Sequence, residues 1–238
     1  MLFKHFQIIV LATVFLLQYF FEHIYPQKKV LNNWKNERYN VAIGLLNLLL
    51  IFIPASGLVW LLGFIDEKNI GLLQQTFLPA WLEIIITIVV LDIWMYAWHR
   101  LNHELPFLWR FHRFHHTDQK MNTTTAIRFH ILELLFSYPG KAVVCVIAGL
   151  QYTPVLIYEI FFFTSVVIHH SNIFISPTTD KIYRMVFSSP GMHRIHHSIN
   201  VSERNSNYGS VFSIWDKLFR TSVYKDFNTV TFGVKEKN

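Results

Sequence analysis

The chain has 238 residues, a hydrophobic fraction of 52% and a formal net charge of +6, and only 15% of its residues are charged. Soluble domains carry roughly 25% charged residues, so this composition excludes a soluble fold and points to a membrane protein. The basic residues lie between apolar stretches, which argues for topology-setting loops and against nucleic acid as a partner, and the single cysteine, Cys145, excludes an internal disulfide and a thiolate metal cage.

The first apolar stretch, about residues 6–21, has a charged start but no small-residue cleavage site before Glu22-His23, so it reads as an uncleaved anchor helix. Lys28, Lys29, Lys35 and Arg38 follow, against a single acid, Glu37. Residues 41–65 are long enough to cross a bilayer, with a kink expected at Pro54 and Gly57. The next connection, Asp66-Glu67-Lys68 onward, has no basic excess. The positive-inside rule therefore places the Lys28 to Arg38 loop in the cytoplasm and the Asp66 loop outside. The third span, about residues 78–98, returns to the cytoplasm and runs into His99 and His103, and Leu105-Pro106 ends its helix. Residues 131–170 are apolar again, with interruptions expected at Pro139-Gly140-Lys141 and at Gly149 to Pro154. The halves, roughly 15 to 19 residues each, read as two tilted helices or a hairpin returning to the cytoplasmic side. Residues 173–238 lack a spanning length. The expected fold class is all-α: one domain over residues 1–238, a multi-pass transmembrane bundle of about four to five segments with a cytoplasmic helical cap.

Two stretches with one spelling dominate the chemistry: His112-Arg113-Phe114-His115-His116 and His193-Arg194-Ile195-His196-His197. With 13 histidines in 238 residues, chance gives about 0.04 matches to HxxHH, so two carry information. On a helix, positions i, i+3 and i+4 share a face, and each triplet is expected to converge on one point. Topology read from lysines and arginines brings these boxes, His99, His103 and the pair His169-His170 to one side of the membrane. Eight or nine imidazoles exceed the four ligands of a structural zinc or the three of a catalytic one, so two ions are expected. Ligand type alone leaves iron, copper, nickel and zinc open, and the HExxH protease spelling is absent. Asp92, Tyr96, His99 and His103 form one helical stripe that would aim an intramembrane carboxylate at the histidines.

The order HxxxH, HxxHH, His-Ser-Asn, HxxHH, followed by Asn207-Tyr208-Gly209 and by Ile214-Trp215-Asp216-Lys217-Leu218-Phe219, closely resembles the fatty acid hydroxylase and sterol desaturase superfamily of integral-membrane non-haem di-iron oxygenases. The match covers about residues 91–221 and includes Leu108-Trp109-Arg110-Phe111-His112, Arg128-Phe129-His130 with Glu133, and Ser189-Pro190. The resemblance implies a four-helix membrane core capped by a histidine-lined cytosolic site. It implies two iron ions, with zinc able to replace them in isolated protein, which bind O2 and attack an unactivated C–H bond. Motif by motif it assigns as ligands His99 and His103; His112, His115 and His116; His170; and His193, His196 and His197. Asp92, His130, Glu133, His169, Asn172 and Asn207 are candidates to orient them. The implied partners are a lipid substrate, the bilayer and an electron-donor protein, ferredoxin- or cytochrome-type with a reductase. A basic face of Arg100, Arg110, Arg113, Arg194 and Lys217 would receive the donor. The implied location is a bacterial inner membrane or an ER-type membrane. The competing class is a metal transporter or metal-handling membrane protein, which requires polar residues facing one another along a path through several spans.

Overall fold

A computed structural model describes residues 2–29 and 33–235, and among these the chain forms eleven α-helices and no β-strand. The long ones are α1 (Leu2–Ile24), α2 (Trp34–Leu50), α3 (Phe52–Lys68), α4 (Ala80–Glu104), α6 (Ile131–Ala148) and α7 (Tyr152–His170). Between α4 and α6 lies α5 (Pro106–His116), and after α7 come the short α8 (Pro177–Tyr183), α9 (Pro190–His196), α10 (Val201–Arg204) and α11 (Ile214–Leu218). Four helices, α1, α4, α6 and α7, are long and apolar enough to cross a membrane, and the bent pair α2 and α3 is a fifth if it counts as one broken span and not a re-entrant loop. This is the helical membrane bundle expected from composition.

Two expectations about its interruptions need correction. The single kinked span over residues 41–65 is two helices that meet at 47° around Ile51. Pro54 has no N–H for the Leu50 carbonyl, so the ladder fails one turn before the proline, while Gly57 sits within α3. The break expected at Pro139-Gly140-Lys141 does not occur, because α6 runs through it. Gly140 instead allows close approach: a Cβ there would overlap the Trp94 ring of α4. The chain turns between α6 and α7 at Gly149, whose φ of 71° is left-handed and suits glycine.

Leu105, extended before a proline, ends α4, and Pro106 opens α5 at the first position, where its missing N–H costs nothing. Leu62, Ile65, Leu91, Cys145, Val155, Tyr158 and Val211 fill the main apolar core between the spans and the cap. Polar anchors fix the histidine end. The Glu22 carboxylate of α1 accepts from the Thr123 and Asn172 backbone N–H groups at 2.9 and 2.8 Å. The Asn40 amide of α2 donates to Asp118 at 2.9 Å, and Arg128 donates to the Asn40 amide oxygen at 2.9 Å.

Candidate metal centre

Each histidine segment is fixed by its local chemistry. His99 and His103 lie one turn apart on α4, and the proline-started α5 carries His112, His115 and His116. His170 is the last residue of α7. At the start of α9 the Ser189 hydroxyl accepts from the Met192 N–H, Pro190 occupies the first turn, and Asp180 accepts from the Gly191 N–H at 2.8 Å. A Cβ on Gly191 would fall 2.5 Å from that carboxylate oxygen, so only glycine permits the contact.

Nine histidines gather into two groups, each with ligand atoms within 4.8 Å of one another. The first holds His99, His103, His112, His116 and His196, and the second holds His115, His170, His193 and His197. These are the nine assigned by resemblance, but the boxes do not each converge on one point as the helical spacing suggested. Box 112–116 sends its i and i+4 rings to the first group and its i+3 ring to the second. Box 193–197 does the reverse. Successive residues on a helix diverge by about 100°, so His115 and His116 face different centres, as do His196 and His197. Each box therefore bridges the two groups.

The hydrogen bonds fix which nitrogen faces inward. The Nδ1–H groups of His99, His115, His170 and His196 donate to the carbonyl oxygens of Tyr208, Arg128, Val166 and Ser206 at 2.9, 3.0, 2.7 and 2.7 Å. His112 Nδ1–H donates to Glu133 Oε1 at 2.7 Å, and His103 Nδ1 faces the Asn205 amide oxygen at 3.4 Å. A carbonyl only accepts, so these rings donate through Nδ1, and in the neutral imidazole Nε2 then carries the lone pair. The Nε2 atoms of His115 and His170 then oppose lone pairs across 2.9 Å, and the Nε2 atoms of His103 and His196 are buried with no hydrogen-bond partner. A cation between such atoms turns repulsion into coordination. At metal–nitrogen distances of about 2.1 Å, ligands at right angles lie about 3.0 Å apart, close to the 2.9 and 3.2 Å separations between inward nitrogens. Burial first, and then neighbouring imidazoles, hold His115, His116, His193, His196 and His197 well below the usual imidazole range. They are neutral at pH 7, the form a metal binds. The donor set fits two ions of the iron or zinc type.

The candidate orienting residues divide. Glu133 bonds His112 directly, whereas Asp92, expected to face the histidines, does not touch them. It accepts from the Val211 and Phe212 N–H groups at 3.2 and 3.1 Å, from the Trp215 indole at 2.7 Å and from the Tyr158 hydroxyl at 3.4 Å, which occupies its oxygens with donors other than the histidines. Asn172 bonds the backbone of Lys28. His130 caps α6 by accepting from the Leu132 N–H at 3.2 Å. Asn207, at a φ of 52°, bonds the Met192 and Val223 backbone, and so holds the Ser206 and Tyr208 carbonyls that flank it against His196 and His99. His169 lies outside both groups with its ring centroid 3.9 Å from that of His193. Arg194 is removed from the expected basic face, being buried and bonded to the Ser171 and Ile173 carbonyls. Sequence reading missed the backbone acceptors at Arg128, Val166, Ser206 and Tyr208, because any residue carries a carbonyl.

An apolar cavity of about 380 Å³ reaches the histidines from between the spans. Leu11, Leu48, Met95, Phe162, Phe163 and Val166 contribute its walls, and His99, His112, His115, His170 and His193 line its inner end.

The model of the fatty acid hydroxylase family matches residues 84–221. The chain is 30% identical over 145 residues to the ornithine lipid hydroxylase OlsE of Rhizobium tropici, covering 60% of this chain and 42% of that protein. It is 32% identical over 133 residues to the alkylglycerol monooxygenase of Caenorhabditis elegans, covering 55% and 25% of the two chains. Against the cholesterol 25-hydroxylase of Rattus norvegicus the identity is 29% over 150 residues, with coverages of 58% and 46%. The chain thus spans less than half the length of each of these curated relatives. No solved structure matches it.

Proposed function

The chain belongs to the fatty acid hydroxylase family, and from that premise we propose that it is an integral-membrane oxidoreductase that hydroxylates or desaturates a lipid, whether fatty acyl, sterol or related. It uses O2 and electrons from a ferredoxin- or cytochrome-type carrier with its reductase. The observation that carries this reading is the abutment of two imidazole groups on the end of an apolar cavity between membrane helices. The relatives' names, which include two lipid hydroxylases and an alkylglycerol monooxygenase, support a lipid as the substrate class.

The first group would hold one iron through His99, His103, His112, His116 and His196, and the second the other through His115, His170, His193 and His197. Two irons held there supply O2 activation and the oxidant for an unactivated C–H bond. The protein contributes position and dryness. Leu11, Phe162 and Val166 confine the apolar chain, and the histidine end of the cavity brings its reacting carbon against the ligand set. Glu133 and the four backbone carbonyls hold the rings in one tautomer and orientation. Burial of the histidines keeps bulk water from the reacting carbon. The centre belongs on the cytoplasmic side of an inner or ER-type membrane: Lys28 lies at the histidine end, bonded to Asn172, and the positive-inside rule puts that loop in the cytoplasm. Transport of a metal instead needs a chain of polar groups facing one another through several spans, whereas Asp92 is held by the cap and by Tyr158 and the charges of Lys141 and Glu159 are paired with each other.

Lipid extracts of cells with and without the chain, compared by mass spectrometry, test the reading. The expected result is a lipid that gains one oxygen or loses two hydrogens with the intact chain and not with His112→Ala. Unchanged oxidation in that variant contradicts it.

A further inference from the structure

The cavity is lined mostly by apolar residues, and among the polar ones a charged pair lies away from the histidines. Lys141 of α6 and Glu159 of α7 form an ion pair of 2.8 Å, and both line the cavity. Each side chain is still partly open, at 12% and 29% of its free exposure, so the pair is not sealed between helices. Tyr138, one turn before Lys141, lines the same place and its hydroxyl makes no hydrogen bond among the described residues. Glu159 precedes His170 by eleven residues, about 16 Å along α7 at the helical rise.

An ion pair inside membrane spans is expensive, and apolar residues of similar size would join two helices at less cost. Its opening into the cavity gives it another use. Lys141 has donors beyond the one given to Glu159, Glu159 has a second carboxylate oxygen, and Tyr138 has a free hydroxyl. Together they offer donors and acceptors to one ligand group. The charges cancel within the pair, so an ionic ligand group would leave a net charge in an apolar chamber, whereas a hydroxyl, ester or amide group would not.

We propose that Lys141, Glu159 and Tyr138 form a recognition subsite for an uncharged polar group of the substrate, which sets the oxidised carbon at the end of the molecule remote from that group. The inference rests on the lipid-oxygenase reading, and it narrows the substrate to a neutral amphiphile that enters the spans polar end first. These residues select and place the substrate and take no part in the oxidation.

The test is binding of radiolabelled 1-hexadecanol and hexadecane to the full chain in lipid nanodiscs, each corrected with protein-free nanodiscs. The wild type is expected to bind the alcohol about tenfold more tightly than the alkane, the yield of a charge-assisted hydrogen bond. In the double variant Lys141→Leu, Glu159→Leu the two ligands should bind alike, with the metal content unchanged. Tyr138→Phe, which leaves the ion pair intact, guards against a double variant that fails to fold and should reduce the preference about threefold. No preference in the wild type, or a preference unchanged in the folded variants, overturns the subsite. Because the readout is binding, a wild type that prefers the alcohol yet oxidises no lipid would sink the oxygenase reading and leave the subsite standing. Lipid oxidation by a wild type without the preference would do the opposite.

Discussion

His169 and His170 are neighbours whose rings diverge by the helical step, and only His170 belongs to one of the two histidine groups. Its Nδ1–H is taken by the Val166 carbonyl, so Nε2 faces His115 and His193 at 2.9 Å. His170→Ala should therefore lower the metal content of purified protein toward one ion per chain, while His169→Ala keeps two, as read by elemental analysis. Equal loss in both variants would reject the assignment. Glu133 acts one step further out, through His112. Losing an outer acceptor of this kind weakens metal binding by roughly tenfold to a hundredfold, so Glu133→Ala should show that loss in a chelator competition, and Glu133→Gln, which keeps an acceptor oxygen, a smaller one. Six of the nine grouped histidines were legible in the sequence because the HxxHH spelling is rare by chance, and His99, His103 and His170 came from the family resemblance. Their partition was not: spacing along one helix says which rings share a face, but not that a second box arrives with the opposite phase.

At the scale of elements, Asp92 shows where a correct signal received the wrong partner. An acid within an apolar span announces itself, and the stripe through Tyr96, His99 and His103 is real. Its lower half holds the cap and its upper half enters the histidine group. Asp92 takes three donors from the segment around α11, and the Tyr96 hydroxyl bonds the Thr221 hydroxyl at 2.9 Å. Asp92→Ala orphans buried donors and should cost roughly 2–4 kcal/mol in stability. It should also loosen metal, because the Ser206 and Tyr208 carbonyls that orient His196 and His99 lie in the cap. A thermal melt in detergent with parallel metal analysis checks both, and an unchanged melt would contradict the anchoring role. The spans themselves were readable from hydropathy and length. The break at Ile51 was displaced from its expected place because a proline withdraws a donor from the carbonyl four residues earlier. Pro139 broke nothing, since α6 carries on past it packed against Trp94.

In the molecule as a whole, segments from α4, α5, α7 and α9, up to about a hundred residues apart, have to meet at one end of the bundle, and the cavity has to end there. The charge pattern anticipated that the histidines would share one side. The family resemblance drawn from the motifs is borne out by the match over residues 84–221. The cavity and its polar far end were invisible in the sequence, because Lys141 and Glu159 become neighbours only once the hairpin of α6 and α7 closes. The central claim is that each HxxHH box serves two ions at once. Metal analysis of the purified full chain, supplied with iron during expression, addresses it most directly. The expected result is close to two ions per chain, with both sites weakened in a chelator competition when either box is removed; one ion or none, or a box whose loss leaves the affinity of one site unchanged, would contradict it.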